Sequence, residues 1–148
     1  MLAAFMLAAA LPATASPLAG LRYLVGTWNC TYRAGAVRFA YDDTYAYDRD
    51  GHTLRQVASW AGGGDEELLA YDVKRGWTAV VFDDQGTATI LRATGSDPKH
   101  IAYHSVYPDA SIAVTFDRVS ATEYTLHATV RSGGKTITSV DTCLRGVR

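Results

Sequence analysis

The chain has 148 residues, of which 48% are hydrophobic and 20% are charged, and its formal net charge is −1. This length suits one domain with a hydrophobic core, and the composition excludes an intrinsically disordered chain. The near-neutral charge argues against a nucleic-acid partner, because no basic stripe is available to neutralise phosphates.

The first fifteen residues have the pattern of a cleavable export signal. Leu2 to Leu11 is an uncharged, Ala-rich apolar run that is too short to span a bilayer as a helix. It ends in Ala13-Thr14-Ala15, the small-x-small pattern that signal peptidases cut after. We therefore expect a signal peptide over residues 1–15, a single domain over residues 16–148, no membrane span, and a secreted or periplasmic location. A buried N-terminal helix is the alternative interpretation of this run.

From Leu21 to Arg145, short β-type runs alternate with turns rich in Gly, Asp, Pro and Ser. A short turn at 17–22 is expected to plug one end, and nothing between the runs is long enough for a crossover helix. The rhythm predicts an all-β fold, a single antiparallel up-and-down β-barrel of about ten strands. The expected strands are 23–33, 36–47, 53–61, 66–73, 77–83, 87–94, 100–106, 111–118, 122–131 and 135–145.

Alternation within the strands suggests which side chains line the barrel. In the second strand aromatic residues share one face, and Asp43 interrupts them. We expect Asp43 to accept a hydrogen bond from a Tyr or to pair with a strand Arg such as Arg55 or Arg92. Inward-facing rings would give an amphipathic lumen suited to a small apolar or amphipathic guest. The candidate lumen residues are Trp28, Tyr32, Phe39, Tyr41, Tyr45, Trp60, Tyr71 and Trp77.

The two cysteines, Cys30 and Cys143, lie on the first and last predicted strands. In an up-and-down barrel with an even number of strands these two strands run antiparallel and pair. If Cys30 faces Cys143, then Trp28 faces Arg145, whose guanidinium can lie on the indole ring. We therefore predict a structural disulfide between the cysteines and a structural role for Arg145. A disulfide also suits an oxidising compartment outside the cytosol.

The segment Leu24-Val25-Gly26-Thr27-Trp28, together with the late basic residue Arg145, resembles the calycin superfamily, which includes the lipocalins. Ten strands and this opening are more similar to nitrobindin-type and related bacterial lipocalin-like barrels than to eight-stranded lipocalins. The resemblance implies a lipocalin-like fold, and in nitrobindin-type proteins a His on the last strand holds haem. The last strand here contains no His, so haem would need another one, and His104 is the best candidate because its strand neighbours are apolar. We expect no cofactor.

Residue patterns typical of catalysis and of metal binding are missing from the sequence. His100 and His104 would lie ~13 Å apart on a strand, too far to share one metal ion. The chain has no nucleophile-elbow motif. We therefore expect no metal site and no enzymatic activity.

The sequence favours an exported, non-catalytic barrel that binds a small hydrophobic or amphipathic ligand in its lumen, and it identifies no partner protein. The alternative is a structural or interaction barrel with a filled core, acting through its loops. Its contacts would be the Gly62-Gly63-Gly64 loop with Asp65-Glu66-Glu67, and the Tyr107-Pro108-Asp109 turn. A lumen below ~300 Å³ would favour this second hypothesis. A haem-binding, nitrobindin-like protein is a further alternative.

Overall fold

The computed structural model describes residues 16–48 and 51–146. Within these ranges ten antiparallel strands close into one barrel, in which each strand pairs with its sequence neighbours and the first pairs with the last. This confirms the predicted all-β up-and-down barrel. The signal peptide expected over residues 1–15 lies outside the described residues. The strands are β1 Gly26–Ala34, β2 Val37–Tyr47, β3 Leu54–Trp60, β4 Gly63–Asp72, β5 Gly76–Phe82, β6 Ala88–Ala93, β7 His100–Tyr107, β8 Ile112–Arg118, β9 Glu123–Ser132 and β10 Lys135–Arg145.

A 3₁₀ helix over Pro17–Leu24 lies across one end of the barrel. Its apolar side chains Leu18, Leu21 and Leu24 are at most 4% exposed and join the barrel core. The first strand was expected from residue 23 but begins at Gly26, because the helix continues to the end of this apolar pattern. Gly26 has a φ of 115°, a conformation that Gly adopts without strain, and it turns the chain from the helix into β1. Across the described residues no helix has the length and apolar character needed to cross a membrane.

The predicted closure of the barrel is confirmed. Cys30 pairs with Cys143 in the β1–β10 register, and the two residues form a disulfide. Their Cα atoms lie 4.0 Å apart. The same register places Trp28 opposite Arg145. The guanidinium carbon of Arg145 lies 4.5 Å from the centroid of the Trp28 ring, and its Nη2 donates a hydrogen bond to the Tyr23 carbonyl oxygen. Arg145 therefore ties the last strand to both the first strand and the 3₁₀ helix.

Large side chains fill the barrel beside the helix. Trp28, Trp77 and Tyr124 are all 0% exposed. The Tyr124 ring stacks on Phe116, with centroids 5.1 Å apart, and meets Trp28 edge-on at 4.9 Å. Trp28 Nε1 donates to the Leu24 carbonyl oxygen at 2.7 Å, which fixes the helix against this cluster. Part of the closed end of the barrel is therefore solid core.

The start of β4 differs from the prediction. The strand begins at Gly63 rather than at residue 66, so two of the expected loop glycines belong to the sheet. A Cβ on Gly64 would lie 2.6 Å from the Ala58 carbonyl oxygen, so only Gly allows this close approach to β3. Asp65-Glu66-Glu67 is consequently not an exposed contact loop. Asp65 and Glu67 face the barrel interior, whereas Glu66 faces outward and forms a bidentate ion pair with Arg55.

Candidate functional site

A cavity of about 590 Å³ runs through the barrel interior. Leu21 and Leu24 of the 3₁₀ helix form its floor. At the end of the cavity away from the helix, its wall includes Val37 and Phe39, which are 58% and 37% exposed. The cavity therefore reaches solvent at the barrel end opposite the helix. Most of its wall consists of apolar and aromatic side chains.

The structure divides the eight predicted lumen residues into two groups. Five line the cavity: Tyr32, Phe39, Tyr41, Tyr45 and Trp60. The other three do not. Trp28 and Trp77 belong to the solid core, and Tyr71 packs edge-on against Trp77 with ring centroids 4.9 Å apart. Alternation identified the inner face of these strands, but it carries no information about depth along the barrel axis.

Four of the lining rings form a continuous aromatic wall, which comprises Tyr32, Phe39, Tyr41 and Trp60 on β1, β2 and β3. Tyr32 stacks on Phe39 with centroids 4.8 Å apart, and Phe39 lies 5.9 Å from Trp60. Tyr41 meets Trp60 edge-on at 6.5 Å. The wall presents several π faces to one side of the cavity.

Acidic side chains occupy the same interior, and the sequence analysis did not identify them as site residues. Asp65, Glu67 and Asp141 line the cavity, and Asp43 is 0% exposed beside it. We refer to these four as the lumen carboxylates. Ala58 lies between Asp43 and Asp65 in the paired strands. The described residues that line the cavity include no Lys, Arg or His.

Two tyrosines donate hydrogen bonds to the lumen carboxylates. Tyr124 Oη donates to Asp43 Oδ2 at 2.6 Å, and Tyr41 Oη donates to Asp141 Oδ1 at 3.0 Å. The expectation that Asp43 accepts from a Tyr is thus confirmed. The alternative partner Arg55 instead pairs with Glu66 on the outer face. Neutral donors hold these acids in place without cancelling their charge.

Burial in the barrel raises the pKa of every lumen carboxylate. The pKa of Asp43, Asp65 and Asp141 rises to about 6, and that of Glu67 rises to about 8. Desolvation is the main cause in each case, because the low-dielectric interior disfavours the charged form. Asp43 also raises the pKa of the other three by repulsion, while the Tyr124 hydrogen bond limits its own rise. Burial therefore moves the pKa values of four interior acids toward neutral pH.

Two further buried polar atoms, on residues that line the cavity, have no hydrogen-bond partner. They are Oε1 of Gln56 and the hydroxyl of Tyr103, on side chains that are 7% and 6% exposed. Both residues line the cavity. A buried polar group without a partner costs free energy, so each atom would be stabilised by a donor that reached it.

His104 is not placed to hold haem inside the barrel. Its neighbours Tyr103 and Ser105 are buried on the inner face of β7, so His104 itself is exposed on the outer face. The other three histidines of the chain are exposed as well. The structure therefore places His104 outside the lumen, because a residue between two inward-facing neighbours on a strand faces the other way.

Comparison with known proteins supports the fold. No protein-family model matches the sequence, and no curated protein matches it. Among solved structures, the chain is similar to the S-type phycobiliprotein lyase CPES from Guillardia theta, with 13% identity, a TM-score of 0.57, and coverage of 90% of this chain and 94% of that one. A second match is the siderocalin Ex-FABP, with 16% identity, a TM-score of 0.38, and coverage of 84% and 74%. The first match and the closed ten-strand barrel support the lipocalin-like barrel fold that the sequence predicted.

The expectation that this chain is not an enzyme needs correction. The fold match that extends over nearly the full length of both chains is to a protein named as a lyase. A barrel of this kind therefore does not imply the absence of catalysis. The expectation relied on missing catalytic motifs, whereas acids able to transfer protons come together here only through folding. Such a group leaves no contiguous motif in the sequence.

Proposed function

We propose that this protein is an exported barrel that binds a small amphipathic molecule in its cavity. The observation that carries the proposal is the cavity itself, whose volume of about 590 Å³ lies within the range of drug-sized ligand sites, ~300–1,000 Å³. The aromatic wall offers apolar area, and the polar groups of Gln56, Tyr103 and the lumen carboxylates are few and convergent. Both features are typical of small-molecule sites.

The cavity volume also weighs against a barrel with a filled core, for which a lumen below ~300 Å³ was expected. The loop proposed as its main contact surface is partly sheet, with Asp65 and Glu67 turned inward. Ligand binding inside the barrel is therefore better supported than an interaction role of the loops.

Export is proposed on two grounds. The apolar run and the Ala13-Thr14-Ala15 pattern precede the described residues, and the Cys30–Cys143 disulfide suits an oxidising compartment. We expect the mature protein to begin at Ser16 and to be recovered outside the cytoplasm. Intact-mass measurement of protein from fractionated cells tests this directly. A cytoplasmic product that retains residues 1–15 would contradict it.

Ligand binding is tested with an uncharged fluorescent probe, N-phenyl-1-naphthylamine, whose emission rises in apolar sites. We expect saturable binding of one probe per chain. Ala128→Trp adds a large side chain at a position that lines the cavity, and it should weaken probe binding strongly. Ala113→Trp is the matched control, because Ala113 is exposed on the outer face of β8. Equal probe affinity in the two variants, or no saturable binding by the unmodified protein, would refute the proposal.

A further inference from the structure

We propose that the molecule bound in the cavity is an organic cation, an amphipathic compound with an ammonium or similar protonated nitrogen, and that Asp65, Glu67 and Asp141 bind this group. The inference rests on the proposed function and specifies the chemical class of the ligand. Three independent features of the cavity support it: its charge, its hydrogen-bonding character and its aromatic wall.

The charge of the interior is one-sided. Three carboxylates line the cavity, Asp43 lies beside them, and no described lining residue carries a positive charge. Acids on the outer face are treated differently. Glu66 pairs with Arg55, and Asp42 accepts a hydrogen bond from Asn29 at 2.7 Å. A charged partner stabilises a buried carboxylate. Glu66 has such a partner on the outer face, whereas its neighbours Asp65 and Glu67, which line the cavity, have none among the lining residues.

The unpartnered polar atoms beside the cavity also favour a hydrogen-bond donor such as a protonated amine. Gln56 lies directly opposite Glu67 in the β3–β4 register, and its Oε1, which only accepts hydrogen bonds, has no partner. The Tyr103 oxygen is also unpartnered and can accept. A protonated amine carries up to three donors and no acceptor, so it complements a surface of carboxylate and amide oxygens. A carboxylate ligand would instead meet like charge and too few donors.

The aromatic wall lies next to the acids. Tyr41 belongs to the wall, and its hydroxyl donates a hydrogen bond to Asp141, so the two side chains are in contact. Trp60 pairs with Gly63 in the β3–β4 register, and Asp65 follows two residues later on the inner face of β4. The faces of Trp and Tyr rings attract cations. A cation beside Asp65 and Asp141 would therefore have both carboxylates and π faces as neighbours, and its apolar part would fill the remaining cavity.

The test compares three probes that share one chain length and differ in charge: n-octylammonium, 1-octanol and octanoate. Each is measured at pH 9 by displacement of N-phenyl-1-naphthylamine, because Glu67, with a pKa of about 8, is then mostly ionised, while an alkylammonium, whose pKa lies above ~10, keeps its proton. We expect n-octylammonium to bind about tenfold more tightly than 1-octanol, or better, as is typical of charge-assisted contacts, and octanoate to bind most weakly. Equal affinities for n-octylammonium and 1-octanol would overturn this inference and leave the proposed function intact. If neither the fluorescent probe nor any of the three compounds binds, the proposed function fails and the inference fails with it.

Variants assign the preference to particular residues. Glu67→Gln and Asp65→Asn each remove one lining carboxylate with little change in shape. The double variant keeps only Asp141 of the three acids, so it should lose most of its preference for n-octylammonium over 1-octanol. Retained 1-octanol binding shows that the cavity is still formed. Glu66→Gln is the matched control, since this neighbouring acid faces outward, and it should keep the full preference for the cation. Should the double variant fail to fold, each single variant should lower the preference several-fold by itself. An undiminished preference for n-octylammonium in the folded variants would overturn the assignment.

Discussion

Replacing Asp43 by Asn should flatten the pH dependence of stability. Asp43 is 0% exposed, its Oδ2 accepts from Tyr124, and its Oδ1 has no hydrogen-bond partner. Burial raises its pKa from 3.8 to about 6, so the folded protein binds this proton more tightly than the unfolded chain does. Stability is therefore highest at low pH with respect to this group. It falls as pH rises from about 4, and the loss is complete above the folded pKa of about 6.

The structure sets the size of the effect. A difference of about 2 pKa units, at about 1.4 kcal/mol per unit, corresponds to about 3 kcal/mol over the full titration. Roughly half of this change falls between pH 5 and pH 8. The other lumen carboxylates shift in the same direction, so the unmodified protein should be clearly less stable at pH 8 than at pH 5. Asp43→Asn should reduce that difference by about 1–2 kcal/mol.

The assay is urea denaturation of ligand-free, oxidised protein at pH 5 and pH 8, followed by circular dichroism. Asp42→Asn is the matched control, because Asp42 is exposed on the outer face of β2 and should leave the pH dependence unchanged. The reasoning is refuted if the unmodified protein is as stable at pH 8 as at pH 5. It is also refuted if Asp43→Asn and Asp42→Asn give the same dependence.

Two further substitutions test the contacts that close the barrel and support its acids. Arg145→Ala removes the guanidinium over Trp28 and should lower the free energy of unfolding by about 1–2 kcal/mol. Arg38→Ala, at an exposed site on β2, is the control and should have little effect. Matching denaturation midpoints for these two variants would contradict the role of Arg145. Tyr124→Phe removes the donor to Asp43 and should cost about 1–3 kcal/mol, with the larger loss at pH 8, where the carboxylate is ionised. Denaturation at pH 5 and pH 8 measures it, and an equal loss at both values would be inconsistent with this contact.

Much of the fold was predictable because it depends on local patterns. Period-two alternation and Gly-rich turns define strands wherever they occur, and ten were expected and found in the described residues. The start of β4 was misjudged for a local reason as well. Three consecutive glycines usually indicate a loop, but Gly64 is required in the sheet because β3 approaches it too closely for any side chain.

The candidate site was predictable only in part. The acids could have been assigned to the interior by extending the alternation, since Asp65 and Glu67 share a face with the buried Leu69, and Asp141 shares one with Cys143. Asp65-Glu66-Glu67 was expected instead to belong to an exposed contact loop, because charged residues near a turn usually face solvent. Their placement in the cavity is the exception that the proposed cation would explain.

The sequence by itself determined the strand pattern and the closure register, because alternation is local and a chain with two cysteines allows only one intramolecular disulfide. Only the tertiary structure decided which inward side chains form solid core and which line the cavity, because alternation defines two faces of a strand but not depth within a closed barrel. It also decided the meeting of Asp43, Asp65, Glu67 and Asp141. These acids come from β2, β4 and β10, and closure of the sheet alone brings them into one low-dielectric interior.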